Sequence, residues 1–408
     1  MPRPLKILFL SNRSPLPIKD GHTRRTFNIL KGLSEKNQVY FLSLYETPEE
    51  IETDNVKELE SFCHRVELLP SPSKKFSIPM LVRLIRSFFS REPYTIWRHY
   101  SKKLSKRVAH LINKNEFDLV HCDILPIVYT IRNKDNIFRS VTDHDVSYLK
   151  CLRMAKDSSN LLLEAFCYLE AFKLKRLESR IFRELELGIV VSEVDKSLLQ
   201  KLCPEGRFEV IENGVDVSKF RPNPEKADPN TLLWVGGFDH FPNKQGIYWF
   251  LDSVFPLIKR GLPEIELQLI GGGVPDKLKR LASADFSIKL LGYVDDPIPY
   301  IQRATVFIVP ILSGSGTRLK LLEAMAVGKA IVTTNIGCEG IEGADDKHFL
   351  ITDTPEQFSA AITKLLNDKK LRLFISNNAR QIAEKKYDWK ILLERLDSVY
   401  KELLMHES

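Results

Sequence analysis

Val306-Phe307-Ile308-Val309-Pro310 is followed, two residues on, by Ser313-Gly314-Ser315-Gly316-Thr317-Arg318-Leu319-Lys320-Leu321-Leu322-Glu323-Ala324-Met325-Ala326-Val327-Gly328-Lys329. The apolar first part has the length of a buried strand. The small residues that follow make a loop and supply caps. From Thr317 the pattern predicts a helix, which Gly328 stops. Strand, glycine loop and helix in that order form one unit of a parallel α/β sheet. A helix N-terminus offers free N–H groups and partial positive charge. Arg318 and Lys320 add two full charges in the predicted first turn. Such charges oppose the helix dipole but suit a bound diphosphate. Glu323 is the second anomaly. At about 100° per residue it falls between Leu319 and Ala326 and beside Leu322, within the apolar stripe. A carboxylate there is costly unless it finds donors. Two vicinal ribose hydroxyls would serve, and so would an internal ion pair with a core Arg or Lys.

The same alternation extends outward in both directions. Towards the N-terminus, strands are expected at Lys6–Leu10, Gln38–Leu44, Arg65–Leu69, Leu119–His121, Arg139–Thr142, Leu187–Val191 and Phe208–Ile211, with helices at Thr23–Leu33 and Asn160–Leu185. Around residues 212–230 the texture changes to Asn213-Gly214, Pro222, Pro224 and Pro229, which reads as a linker. A second series follows: strands at Leu232–Val235, Glu266–Ile270, Ile288–Leu291 and Ala330–Thr333, with helices at Ile247–Lys259 and Asp276–Ser283. The last helix, Trp389–Leu404, carries Trp389, Leu392, Leu396, Tyr400 and Leu403 on one face. Two doubly wound parallel sheets are therefore expected, with the ligand at the strand ends. The expected domains are 1–217, a linker at 218–230, and 231–388, with the helix 389–408 returning to the first.

Composition narrows the classes. The chain has 408 residues, 43% hydrophobic and 28% charged, enough for two cores without staples. Six scattered cysteines include no C-x-x-C, against structural zinc and a disulfide framework. Neither Gly-x-Gly-x-x-Gly nor a Walker sequence occurs, so a dinucleotide enzyme or P-loop enzyme is poorly supported. The N-terminal apolar run is too short for a signal peptide, and no stretch has the length of a membrane helix; a cytoplasmic protein is expected. The net charge of +7 is concentrated. Between Ser73 and Arg107, Lys74, Lys75, Arg83, Arg86, Arg91, Arg98, Lys102, Lys103, Lys106 and Arg107 face a single acid, Glu92, among interleaved apolar residues such as Phe88, Phe89 and Trp97. An anionic membrane surface can use such a patch. So can a solvated domain face whose apolar side belongs to the core. No nucleic-acid module accompanies it, and no nucleic-acid partner is expected.

Other glycines follow strands: Gly236-Gly237 and Gly271-Gly272-Gly273. Each lets backbone approach a phosphate, or simply makes a tight turn. Gly21 lies in the loop after the first strand, and His144 sits within Asp143-His144-Asp145 at a C-terminal strand end. Asp143-x-Asp145 also matches a metal-binding pattern, but a match of that kind is expected by chance.

Taken together, Val210 to Asp216, Phe220-Arg221-Pro222, Val235-Gly236, Leu269 to Gly273, Leu291 to Val294 and Gly316 to Gly328 with Glu323 resemble the retaining GT-B glycosyltransferases of family four. Gly314–Glu323, with Phe241-Pro242-Asn243, is most similar to the branch that builds bacterial surface polysaccharides. The resemblance implies two Rossmann-like domains facing each other across a cleft and a nucleotide diphosphate sugar as donor. It also implies a glycan or lipid-linked acceptor and no metal or other cofactor. It places the base near Tyr293 and Val294, the ribose on Glu323, the diphosphate on Arg318, Lys320 and the glycines Gly236, Gly237, Gly271 and Gly272, and Ser315 near the donor sugar, with Gly316, Thr317 and Leu319 completing the donor site. It sets Gly21 beside diphosphate and acceptor, and His144 on the donor sugar. The pattern departs from the family twice. The first of the family's paired glutamates is Ser315 here, and its phosphate-binding Arg is Gly237. Arg318, Lys320 and Lys244 are expected to supply the missing charge. A nucleotide-sugar 2-epimerase of the same fold and a non-catalytic nucleotide-sugar-binding protein remain alternatives. The patch at 73–107 is expected to hold the protein on the inner face of the plasma membrane.

Overall fold

The computed structural model describes residues 3–72, 78–131, 137–156, 158, 160–223, 228–314 and 316–406. The chain forms two units, Met1–Glu212 with Leu393–Ser408, and Asn213–Leu392. Both are parallel, doubly wound α/β sheets.

The first unit contains β1 (Lys6–Ser11), β2 (Gln38–Tyr45), β3 (Arg65–Pro70), β4 (Leu119–Cys122), β5 (Phe138–Asp143), β6 (Leu187–Val190) and β7 (Phe208–Val210), in the order β3-β2-β1-β4-β5-β6-β7. Ile7, Leu8, Phe9 and Leu10 have no exposure, as expected of a central parallel strand covered on both faces. Burying each such side chain contributes about 1.5–3 kcal/mol. Strand order reverses between β1 and β4, which are in register from Ile7↔Leu119 to Leu10↔Cys122. In a doubly wound sheet the carboxyl ends of two such strands are where a ligand binds.

The connection after β1 enters the helix Gly21–Ser34, two residues earlier than the pattern predicts. Asp20 is the reason. Its carboxylate accepts from the Thr23 N–H at 2.9 Å, while the Thr23 hydroxyl accepts from the Asp20 N–H at 3.1 Å, a reciprocal cap. Gly21 is therefore the first helical residue and exposed, rather than a loop residue. Arg25, buried in the same helix, donates to the carbonyls of Glu212 at 2.6 Å and Ile211 at 2.7 Å.

The second unit contains β8 (Thr231–Val235), β9 (Glu266–Ile270), β10 (Ile288–Gly292), β11 (Val306–Val309), β12 (Ala330–Thr333) and β13 (Leu350–Ile351), in the order β10-β9-β8-β11-β12-β13. Its reversal lies between β8 and β11. Trp234 and Phe307 are wholly buried beside it. β13 has two residues, too short to leave a periodic signal.

Three expectations shift here. The helix after β11 is Leu319–Ala326, not Thr317 onward. Gly314 at φ +103° and Gly316 at φ +82° keep the chain in a loop, and Arg318 at the cap is still extended. Thr317 and Arg318 thus precede the first turn, and Lys320 is its second residue. The stop at Gly328 matches the reading. Its φ is +68°, and its N–H returns to the Met325 carbonyl at 2.9 Å. The helix expected at Ile247–Lys259 is a longer run, Phe241–Trp249, a π-turn at Phe250–Val254, then Phe255–Gly261. Pro256 explains the wide turn, because its ring cannot sit against the carbonyl four residues back. The stretch at 218–230, in its described part, is packed rather than free. Arg380 donates to the Phe220 carbonyl at 2.6 Å and the Val217 carbonyl at 3.0 Å, and Gln302 to that of Arg221 at 2.8 Å.

The final helix runs Trp389–His406. Its first turn belongs to the second unit, where the Trp389 ring fills the space that a side chain at Gly214 would need. From Leu393 it belongs to the first, where Asp397 accepts from Asn37 Nδ2 at 2.8 Å.

Candidate functional site

In the second unit the glycine connections after β8 and β9 meet the loop after β11 at the reversal of strand order. The Gly236 N–H donates to the Ile270 carbonyl at 2.8 Å. A Cβ on Gly271 would lie 1.9 Å from the Gly236 carbonyl oxygen, so the close approach of the two loops requires glycine there. Gly237 and Gly272 differ. A Cβ on either would meet nothing within 4 Å among the described residues. The packing of the protein leaves these two backbones open.

Lys320 reaches the same place from below. Its ammonium donates to Asn243 Oδ1 at 2.8 Å and lies 4.9 Å from the Trp234 ring centroid. A Cβ on Gly236 would come within 2.7 Å of that nitrogen. Asn243 in turn donates to the Gly237 carbonyl at 3.0 Å, tying loop, helix and lysine together. Burial, and secondarily the nearby Arg318 charge, pull the Lys320 ammonium down to about 7, while Glu323 pushes the other way. An anion bound here would be met by an ammonium already stripped of much of its water.

Glu323, 7% exposed, lies one turn further along the same helix among fully buried Leu321, Leu322 and Ala324. Gly316, Thr317, Arg318 and Leu319 are half-buried in the loop and first turn. Ser315 lies outside the described residues. Tyr293 is 74% exposed just after β10, with Val294 half-buried beside it. Lys244 is exposed near the start of the helix Phe241–Trp249. The expected second-unit residues thus share the carboxyl ends of neighbouring strands. Trp234 and Asn243, which hold Lys320, were given no such role by the sequence. Asn243 stands in the quoted Phe241-Pro242-Asn243, and three-dimensional pairing alone gives it that work.

The first unit gathers a different set. His144 follows β5 directly, at the carboxyl edge, as read. Its Nε2 donates to the Asp123 carbonyl at 2.6 Å. Asp123 follows β4, has no exposure, and accepts from the Thr26 hydroxyl at 2.5 Å. His22, one residue past Gly21, packs edge-on against His144 with ring centroids 4.5 Å apart. Burial and the neighbouring His144 push His22 down to about 3, against the pull of Asp123. Burial raises the Asp123 carboxyl, but His144 and His22 outweigh it and hold the group at about 2. Neither His22 nor Asp123 was singled out from sequence. Only the meeting of three strand ends makes them visible.

Among the described residues, His22, Asp123 and His144 are the three potential ligands that converge, with one atom of each within 4.8 Å of the others. The His144 Nε2 is already committed to a carbonyl, which fits a metal poorly. Asp143 and Asp145 belong to no such group of three among the described residues. Asp145 accepts from Lys150 at 2.8 Å. Burial and the charge of Glu178 raise Asp143, which favours the protonated acid over a metal ligand.

Within the basic stretch, Lys74 and Lys75 lie outside the described residues. The rest forms the helices Ile78–Phe88, Tyr94–His99 and Lys102–Lys114. The apolar residues of the first helix face outward rather than the core: Ile78 is 80% exposed, Leu81 56% and Phe89, just beyond, 91%. Lys173 donates to the Ser87 carbonyl at 2.5 Å, binding this helix to Leu161–Glu184, whose Leu161 and Leu162 are also exposed. Arg83 is turned inward, donating to the Trp97 and Tyr100 carbonyls, and Arg107 pairs with Glu67. Arg86, Arg91, Lys102, Lys103 and Lys106 are exposed.

Comparison with known proteins adds independent findings. The sequence model of Glycosyltransferase Family 4 matches residues 20–219, and that of Glycosyl transferases group 1 matches residues 229–368. The chain is 28% identical over 233 residues to a phosphatidyl-myo-inositol mannosyltransferase of Mycolicibacterium smegmatis, covering 54% of this chain and 58% of that protein. It is 26% identical to the capsular polysaccharide biosynthesis glycosyltransferase CapH of Staphylococcus aureus, covering 67% and 75% respectively. The matched region therefore spans little more than half of the mannosyltransferase. Among solved structures, Anabaena Alr3699/HepE in complex with UDP superposes with a TM-score of 0.71 at 14% identity, over 98% of this chain and 100% of that one. At that identity the likeness establishes the fold, GT-B.

Proposed function

We propose that this chain, which belongs to the family 4, group 1 glycosyltransferases, moves a sugar from a nucleoside diphosphate to a glycan or lipid-linked acceptor in bacterial surface polysaccharide synthesis. The second unit takes the donor. Glu323 accepts from the ribose hydroxyls, and Tyr293 and Val294 border the base. Arg318, Lys320 and Lys244, with the N–H groups of the glycine loops, take the diphosphate. The observation that supports this most is Lys320. Its ammonium is held by Asn243 and the Trp234 ring against loops where Gly237 and Gly272 leave backbone open.

Transfer proceeds with retention. The acceptor oxygen attacks the anomeric carbon from the face the phosphate leaves. The bond from that carbon to the phosphate oxygen breaks, and the departing phosphate takes the acceptor proton. Fixed cations and N–H groups stabilise the charge that develops on the leaving group, so no metal is required. Gly21 and His144 of the first unit serve the sugar and acceptor.

The protein works at an anionic membrane surface, where a lipid-linked acceptor is presented. Exposed Ile78, Leu81, Val82, Ile85 and Phe89 beside exposed Arg86 and Arg91 support this reading. The deciding experiment is a panel of radiolabelled nucleotide sugars with a lipid-linked acceptor extract. Label moving into the lipid fraction with one donor, its anomeric configuration kept, is the expected result. Nucleotide binding without transfer from any donor would leave a binding protein instead.

A further inference from the structure

We propose that His22, Asp123 and His144 act as one sugar-holding unit. In it the two imidazoles accept from hydroxyls of one sugar ring, and Asp123 is the positioning residue that sets both. The inference deepens the glycosyltransferase reading and rests on it for the identity of the ligand.

Helix Gly21–Ser34 brings His22 from β1, Asp123 is the first residue after β4, and His144 the first after β5. These are neighbouring strands at the reversal of order, where a parallel sheet opens a binding crevice. Asp123 is fixed from beneath. Its N–H donates to the Leu10 carbonyl at 2.8 Å, and its Oδ2 accepts from Thr26. The two imidazoles flank this acid, and both turn Nε2 towards it. Oδ2 is 3.7 Å from the His22 Nε2, and Oδ1 is 3.7 Å from the His144 Nε2. The acid has no exposure while each ring keeps 18% of its side-chain surface, so the rings form the face and the acid its foundation.

The tautomer follows. A carbonyl oxygen only accepts, so the 2.6 Å bond from His144 Nε2 to the Asp123 carbonyl puts the proton on Nε2. In the neutral ring the lone pair is then on Nδ1, an acceptor for a hydroxyl. The Asp123 Oδ1 and His22 Nε2 are buried and have no hydrogen-bond partner among the described residues, a polar arrangement held in place though incompletely satisfied. Such a state persists where function uses it. With centroids 4.5 Å apart, the two rings address one ligand rather than two. Two acceptors side by side suit a polyhydroxylated ring, and a neutral His22 suits an uncharged one.

The test uses the full chain carrying Asp123→Asn, which keeps the shape of the side chain and removes its charge, and also His22→Gln, His144→Gln and the double variant Asp123→Asn/His144→Gln. Calorimetry with UDP and GDP reports the second unit. Histidine-selective nitrogen NMR reports ring tautomers without any activity. Label transfer in the donor panel reports function. In the wild type, His144 should show Nε2–H, and Asp123→Asn should shift the ring signals of both histidines. Asp123→Asn and each histidine variant should lower transfer at least tenfold, with nucleotide affinity within twofold of wild type. The double variant should be slower than His144→Gln by less than the Asp123→Asn loss alone, because the part of the acid's effect that runs through His144 is already gone and only the part through His22 remains. The proposal is overturned by an Nδ1–H tautomer at His144, by wild-type transfer in Asp123→Asn, or by losses that multiply in the double variant. Stoichiometric zinc in the purified protein, lost in His22→Gln, would equally overturn it. If the wild type transfers no label, the glycosyltransferase reading fails, while the tautomer still decides what Asp123 does.

Discussion

With the diphosphate placed as proposed, Lys320 ties donor binding to pH. Burial and Arg318 hold its ammonium at about 7 in the free protein. At pH 8 about one molecule in eleven then carries the charge, by the ordinary titration law. A phosphate oxygen about 4 Å away, at an effective dielectric near 20, favours the charged form by about 4 kcal/mol. At about 1.4 kcal/mol per pKa unit, that lifts the group to about 10 in the complex. The sign is fixed. Above pH 7 the free protein has given up the proton that the complex holds, so binding takes a proton up and weakens as pH rises. Affinity for UDP or GDP should fall by about fiftyfold between pH 7 and pH 9, approaching tenfold per unit once the free lysine is mostly neutral. Calorimetry in two buffers of different ionisation enthalpy should count about 0.9 protons taken up at pH 8. Lys320→Arg keeps the charge at every pH used and should remove both the slope and the uptake. A flat affinity profile above pH 7, or proton uptake that survives in Lys320→Arg, would refute the placement of phosphate beside this nitrogen.

Glu323→Ala should weaken UDP or GDP by about tenfold to a hundredfold or more, since a charge-assisted hydrogen bond is worth about 1.5–3 kcal/mol. Unchanged calorimetric affinity in folded variant would leave Glu323 as the internal partner of a cation such as Lys320. Exhaustive chelation should leave label transfer at its full rate, and activity restored only by manganese or magnesium would return a metal to the mechanism. Anionic liposomes should co-sediment the protein at low salt and release it as salt rises, because each Lys or Arg at such a surface is worth about 1 kcal/mol. Arg86→Gln with Arg91→Gln should weaken that binding and Phe89→Ser should reduce it further. Arg83→Gln should instead lower stability, because Arg83 is spent on the Trp97 and Tyr100 carbonyls.

The chain's own order of residues determined more of the fold than of the site. The run Ile7 to Leu10 and the run Val306 to Val309 are apolar without a break, and only a strand covered on both faces needs that pattern. Gly328 marked a helix end because a left-handed residue was required there. Glu323 was legible as an anomaly because a carboxylate interrupts an otherwise apolar helical face. Apolar periodicity failed where a cap or a left-handed glycine sets the helix start. Asp20 and Thr23 start the first helix early, and Gly314 and Gly316 start the one after β11 late. The apolar residues at 78–89 carry the same periodicity whether they face core or solvent, and only their packing against Leu161–Glu184 decided that they face outward. Asp123 and His22 had no signal at all. Each is an ordinary polar residue in its own segment, and they meet because the sheet reverses its strand order between β1 and β4, bringing to one edge residues about a hundred positions apart. Asn243 and Trp234 gained their work on Lys320 in the same way, across the reversal between β8 and β11.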